Sequence, residues 1–446
     1  MTGALTGLAV TVVGIYYAPD STGIAPYTTD LCETLAAHGA SVHAVVGVPH
    51  YPQWTVAPEY RSRVRLRYRE ERNGVRVSRV RHFVPASQNA ARRGLYELSF
   101  RLSSGLACRG DRPDVVLGVT PNLAGAATAG ALARASGAPL GLIVQDLMGM
   151  AAAQSGMPGG RRVSSAVAQL EARALRRAQR VGVITDAYVP LIVASGATAA
   201  IDHLPNYAHV RSSALSKDEA RRALGWSSAQ RIALHSGNMG LKQDLGNVIE
   251  AARLALGRRD DLTFVLLGDG NTRGALEAQA RGLPNLRFLD PLPDDEYPVA
   301  LAAADCLILN ERPSVLNMSM PSKLTSYFAA GRPVVAATHE AGATAAEMAR
   351  SGAGRTVPPG EPALLLRAVE ELVDDPERSA RLGQSGRDYA THHLSQSSAR
   401  TEIVRFVAAL RDGARPPERT DRHAAIVGVD IFGEDGSPEA APSRGI

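Results

Sequence analysis

Two doubly wound α/β units, each a parallel sheet with helices on both faces, are predicted by three features of the sequence. Short apolar β runs alternate with helical segments along the chain. The alternation pauses near Leu204-Pro205-Asn206 and starts afresh at Arg231. The connecting turns are glycine- and proline-rich, with 42 Gly and 27 Pro among 446 residues. A chain of this length exceeds one ordinary core. The boundaries read as a first unit over 1–207, a second over 208–396, a closing helix over 397–412 that completes the second unit, and a tail over 413–446 without periodicity, expected to be disordered.

The first strand is Leu8 to Tyr17, followed by a Pro-Asp-Ser-Thr-Gly turn and a helix from about Ala25 to His38. Gly39 follows that helix where a terminating glycine is expected. Further β runs fall at 41–48, 115–119, 140–144 and 180–184. In the second half they fall at 231–235, 263–267, 286–289, 306–309 and 333–337, with a helix from Leu245 to Ala255.

Hydrophobic residues make up 45% and charged residues 21%, as in a globular protein. The net charge of +5 is unevenly placed: residues 1–205 hold 21 Arg against 13 Asp or Glu, leaving 28 basic against 31 acidic residues beyond. Much of the excess lies in Arg61 to Arg81, whose strand-like alternation reads first as a solvated face and second as a contact for an anionic membrane or lipid phosphate. Aromatic residues are only 5% and are not spaced for base stacking, which excludes nucleic acid as the expected partner. Three scattered cysteines without a CxxC pair argue against disulfides and zinc. The opening apolar stretch lacks a basic n-region and cleavage site, and no apolar run reaches membrane-spanning length. A cytoplasmic protein, with the inner membrane face as a peripheral contact, is expected.

Ligands of open parallel sheets bind at the carboxyl ends of the strands, so the loops there carry the argument. In the 18–25 loop, Gly23 and the following helix start either receive a phosphate or form an ordinary turn. Only three lysines occur, Lys217, Lys242 and Lys323, and two of them fall on such loops. Lys242 lies in Ser236-Gly237-Asn238-Met239-Gly240-Leu241-Lys242-Gln243-Asp244, which is not a Walker A loop. Lys323 follows Pro321-Ser322 at a helix start. Surface solubility explains that pairing poorly; a pyrophosphate held between two ammonium groups explains it well. Gly268-Asp269-Gly270 misses the dinucleotide spacing and reads as a turn beside a base. Gln145-Asp146 ends a first-unit strand, where Asp146 either orients an acceptor hydroxyl or caps the next segment. His50 is either an acceptor contact or a satisfied loop histidine. No D-x-D occurs, so no metal is expected.

The stretches YYAPDSTGIAPYTTDL, PHYPQW, VQDL, LPN, HSGNMGLKQDLGNVIEAA, LLGDG and MPSKLTSYFAAGRPVVAA, in this order over about residues 8–400, resemble the retaining family-4 glycosyltransferases of the GT-B fold, especially the colanic-acid-biosynthesis type. The resemblance implies transfer of a sugar from a GDP-, UDP- or dTDP-sugar to a hydroxyl acceptor with retention, in exopolysaccharide or lipid-linked glycan assembly. It implies that Gly23 approaches the donor phosphates, and that Gly237, Asn238, Lys242, Pro321, Ser322 and Lys323 hold the diphosphate. Gly268, Asp269 and Gly270 would flank the base, and His50, Gln145 and Asp146 would meet a glycan, lipid-linked or small-molecule acceptor. Lys242 and Asp146 would serve the chemistry. No protein nucleophile is implied.

Three departures stand out. The family's E-x7-E pattern falls on Met318 and Ser326, with Glu311 upstream; Asn238 replaces a common arginine; and VQDL continues as Met148-Gly149-Met150 rather than Trp-Pro-Glu. Alternatives are transfer to a small secondary metabolite, a nucleotide-sugar epimerase of the same fold, and a non-catalytic nucleotide-sugar-binding protein.

Overall fold

A computed structural model describes residues 3–20, 23–51, 53–62, 66–86, 90–149, 160–207, 212–314 and 322–413. Two sheets organise it. The first contains β1 (Ala9–Val13), β2 (Ser41–Gly47), β3 (Arg67–Arg72), β4 (Val75–Val80), β5 (Val115–Val119), β6 (Leu140–Val144), β7 (Arg180–Val183) and β8 (Ala200–His203). Their order is β3-β4-β2-β1-β5-β6-β7-β8. The second contains β9 (Arg231–Ser236), β10 (Leu262–Leu267), β11 (Leu286–Leu289), β12 (Cys306–Asn310), β13 (Val334–Ala337) and β14 (Gly354–Val357), in the order β11-β10-β9-β12-β13-β14. Each sheet has apolar clusters on both faces, as βαβ crossovers require. The strand order reverses beside β1 in one sheet and beside β9 in the other, so each has a switch point where loops diverge and a crevice opens.

Among the described residues only β3 pairs antiparallel, as a hairpin with β4 turned at Asn73-Gly74, both of positive φ. The basic run of 61–81 therefore has a buried face that a reading as solvated arginine does not anticipate. Arg79 is fully buried, paired with Glu70, donating to the Ala18 carbonyl and lying over the Tyr60 ring. It fixes the start of the 18–24 loop.

The helix Gln396–Arg411 departs from expectation: it does not complete the second unit. Ile403, Val404, Phe406, Val407 and Leu410 enter the core of the first, against Leu117, Ile143 and Leu204. Gly141 and Gly182 supply the room, since a Cβ on Gly141 would lie 2.8 Å from Leu410 and 3.0 Å from Phe406. Arg400 pairs with the buried Asp30 of the helix Ala25–Ala37. The polar look of this helix in sequence hid one apolar stripe. The tail beyond 413 lies outside the described residues.

Candidate active site

The two lysine loops leave β9 and β12, the strands flanking the second switch point. After β9, Gly237 takes φ +105 and its N–H donates to the Leu267 carbonyl at 2.8 Å. Met239 N–H donates to the Asp269 carbonyl at 2.8 Å, and Thr272 donates its hydroxyl to the Met239 carbonyl at 2.6 Å. The loops 237–240 and 268–270 thus pack backbone on backbone. A Cβ on Gly268, whose φ is +134, would stand 2.1 Å from the Gly237 carbonyl oxygen, and one on Gly270 2.4 Å from that of Met239. Close approach of two main chains, not a dinucleotide turn, requires these glycines. Gly268→Ala is expected to cost about 2–4 kcal/mol through overpacking and backbone strain, read as a fall in melting temperature.

Lys242 is held through its backbone. The Arg312 N–H donates to its carbonyl at 2.9 Å, and the Asn310 side chain donates to the Gln243 and Asp244 carbonyls at 2.9 and 3.0 Å. Asn247 in turn donates to Asn310 at 2.7 Å. Asp244 has φ +45, a conformation this network maintains.

Lys323 lies in the first turn of the helix Ser322–Ala330 and reaches back over the β9 loop. Its Nζ sits 3.3 Å from His235 Nε2 and would lie 3.7 Å from a Cβ on Gly237. His235 is fully buried, with Nδ1 3.1 Å from the Ile308 carbonyl. Burial and the Lys323 charge hold its pKa well below the usual value, so it is neutral. The tautomer that satisfies both contacts donates from Nδ1 and accepts the lysine proton at Nε2.

Burial lowers the pKa of Lys323 to about 7, against the pull of Glu311 and with a further push from Lys242. Glu311, buried just past β12, accepts a hydrogen bond from Thr338 at 2.5 Å and feels both lysines; burial raises its pKa. On the facing unit, burial raises Asp146 to about 6, opposed by the positive charge of Lys242. Lys242 therefore stands within electrostatic reach of Lys323 and Glu311 on its own unit and of Asp146 across the crevice. Asp186 and Arg350 pair across the same division at 3.1 Å.

The remaining predicted residues take different places. Gln145 is buried and accepts from Asn206 at 2.9 Å, tying the 204–206 connection to the first sheet. Asn238 is exposed, 3.4 Å from Gln243, and Asp269 is exposed with its carboxylate on the Gly270 N–H at 2.8 Å. Ser326 is buried on the Lys323 helix. Gly23 has φ +64 and lies against Tyr51, where a Cβ would stand 3.1 Å from the ring. His50 is buried, with its ring nitrogens engaged by the Val48 carbonyl at 2.7 Å and Tyr96 OH at 3.1 Å. It is therefore the floor of an aromatic group whose partly exposed members are Tyr16, Tyr51 and Trp54. Pro321 and the Ser322 side chain lie outside the described residues.

Sequence reasoning did not single out His235 or assign Glu311 a place beside the lysines. Both stand at the carboxyl ends of strands flanking the switch point, and that position was the available signal. It also passed over Glu171, whose carboxylate accepts the Met148 and Gly149 N–H groups at 2.7 and 3.0 Å and so fixes the chain just after Asp146. Among the described residues, no helix is long and apolar enough to cross a membrane.

Comparison with known proteins agrees with this architecture. Residues 22–206 match the model of a glycosyl transferase 4-like domain, and residues 230–375 that of glycosyl transferases group 1. The chain is 33% identical over 342 residues to the putative colanic acid biosynthesis glycosyl transferase WcaI of Escherichia coli K12, covering 73% of this chain and 82% of that one. In fold it resembles sucrose-phosphate synthase of Thermosynechococcus elongatus, with a TM-score of 0.71 at 14% identity over 91% of this chain and all of that one. It also resembles Anabaena HepE in complex with UDP, with a TM-score of 0.64 at 16% identity over 90% of this chain and all of that one. With two facing parallel-sheet units and lysine loops at the second switch point, the chain belongs to the family-4 glycosyltransferases of the GT-B fold, in the branch represented by WcaI.

Proposed function

We propose that the enzyme transfers a sugar from a nucleoside-diphosphate donor to a hydroxyl acceptor with retention of configuration, in the assembly of a surface polysaccharide or lipid-linked glycan. The carrying observation is the meeting of Lys242 and Lys323 at one switch point, with Asp146 opposite. The donor diphosphate lies against the two ammonium groups. The acceptor hydroxyl attacks the anomeric carbon as the bond to the diphosphate oxygen breaks, and the hydroxyl proton passes to a donor phosphate oxygen on the same face. The lysines stabilise charge on the departing diphosphate, and Asp146, ionised above about pH 6, accepts a hydrogen bond that aims the acceptor. The glycine loop 268–270 borders the base. Relatives support the reading: WcaI is named for colanic acid biosynthesis, a Corynebacterium glutamicum relative is a GDP-mannose-dependent mannosyltransferase, and HepE binds UDP.

Donor binding should weaken as pH rises above 7. In the empty site Lys323 loses its proton near pH 7, and a bound diphosphate favours the charged amine and raises that pKa. Binding above pH 7 therefore takes up a proton, and affinity falls by up to about tenfold per pH unit until the raised pKa is reached. A thermal-shift screen of UDP, GDP and dTDP at pH 7 should find one that raises the melting temperature. Calorimetric titration of that nucleotide from pH 7 to 9 should show proton uptake. No stabilising nucleotide, or an affinity flat across that range, would count against the assignment.

A further inference from the structure

The helix Ala90–Ala107 of the first unit buries Tyr96, Phe100 and Ser104 and turns a row of leucines outward. Leu95, Leu98, Leu102 and Leu106 are 48–63% exposed, and their spacing of three and four residues sets them on one face. The strand ends beside this helix add to the row. Phe83 donates its N–H to Ser99 at 2.9 Å, and Ser103 donates to the Arg81 carbonyl at 2.6 Å, while Arg81 N–H reaches the Leu66 carbonyl at 2.9 Å. Leu66 is 82% exposed. Six large apolar side chains on one continuous surface need a partner.

Charge says which partner. Arg67 and Arg69 on β3, Arg92 and Arg101 on the helix and Arg109 beyond it border the apolar row. Of the neighbouring acids, Glu70 pairs with Arg79, Glu97 with Arg93 and Asn122, and Asp111 with His43; Glu71 is exposed on the β3 face of Arg67 and Arg69, and the five arginines still leave the border positive. A two-fold contact between copies would set this basic border against itself. An anionic lipid surface accepts both parts at once, leucines among the acyl chains and guanidinium groups at the headgroups.

We infer that the leucine face of the helix Ala90–Ala107, with Leu66 and Phe83, is an interfacial docking surface for an anionic bilayer. The buried side of that helix reaches the crevice loops, since Tyr96 OH donates to Tyr16 OH at 3.1 Å and contacts His50. Docking would therefore set the rim of the first unit's loops at the membrane, within reach of a lipid-carried acceptor. The surface itself does not depend on the donor assignment.

The full chain should co-float with vesicles of phosphatidylcholine and 30% phosphatidylglycerol and be released by high salt. It should bind pure phosphatidylcholine at least about tenfold more weakly. L98E/L102E, both at exposed positions, should lower partitioning by about 100-fold while leaving the melting temperature and the nucleotide-induced shift unchanged. Binding to both vesicles equally, or to neither, would overturn the inference. So would a chain that is dimeric without lipid and becomes monomeric in L98E/L102E, since the face would then belong to a second copy.

Discussion

Lys323→Ala should lower turnover by about 30- to 1,000-fold, or about 2–4 kcal/mol of transition-state support. The magnitude follows from where the amine sits. It is largely desolvated over the Gly237 turn, so its attraction to the departing diphosphate is little screened by water. The same burial costs the empty site something, which is why the amine's pKa has fallen to about 7. Donor binding turns that unfavourable charge into a favourable one. Removing Lys323 also leaves the buried Glu311 with one cation fewer, so part of the loss will appear in donor affinity. Lys323→Arg retains charge, but a planar guanidinium does not reproduce the single-point ammonium contact with His235 Nε2, so recovery should be partial. Lys242→Ala should lower turnover in the same range. The double variant should lose less than the two single losses combined, because both amines act on one leaving group. An unchanged kcat/KM in Lys323→Ala would remove the basis of the proposed chemistry.

The rarity of lysine makes this pairing legible in the sequence. Where nearly all positive charge is arginine, an ammonium on a loop is a specific choice, and both loop lysines come to the same switch point. The βα alternation was legible for a related reason: buried parallel strands are unbroken apolar runs, and Val115–Val119, Leu140–Val144 and Leu286–Leu289 stand in the fold where the runs stand in the chain. What escaped was long-range. Arg79 reads as one more arginine in a basic strand, and only the approach of Ala18, Glu70 and Tyr60 makes it a buried anchor. His50 is a loop histidine in either reading; Tyr96, 46 residues away, turns it into a floor. Glu311 lies upstream of the positions on which the E-x7-E pattern falls. Yet the carboxylate that feels both lysines is this one, brought there by the end of β12.

The helix Gln396–Arg411 yields the second large effect, because its sequence position and its core disagree. Phe406 is 2% exposed and packs where Gly141 and Gly182 leave the first sheet without side chains. Phe406→Ala opens a cavity that these glycines cannot fill, at an expected cost of about 3–5 kcal/mol. That cost should fall on the first unit alone. Hydrogen exchange should accelerate by about 100-fold or more in β5, β6 and β7, while β9 and β12 keep their protection. Nucleotide binding through the second unit should survive wherever the protein stays folded. Because residues 396–411 complete the first unit's core, the chain must cross the division between the units twice, once near 204–207 and again just before 396. Any closing motion of the crevice has to bend both crossings together. Loss of protection in β9 and β12 with Phe406→Ala would instead tie this helix to the second unit.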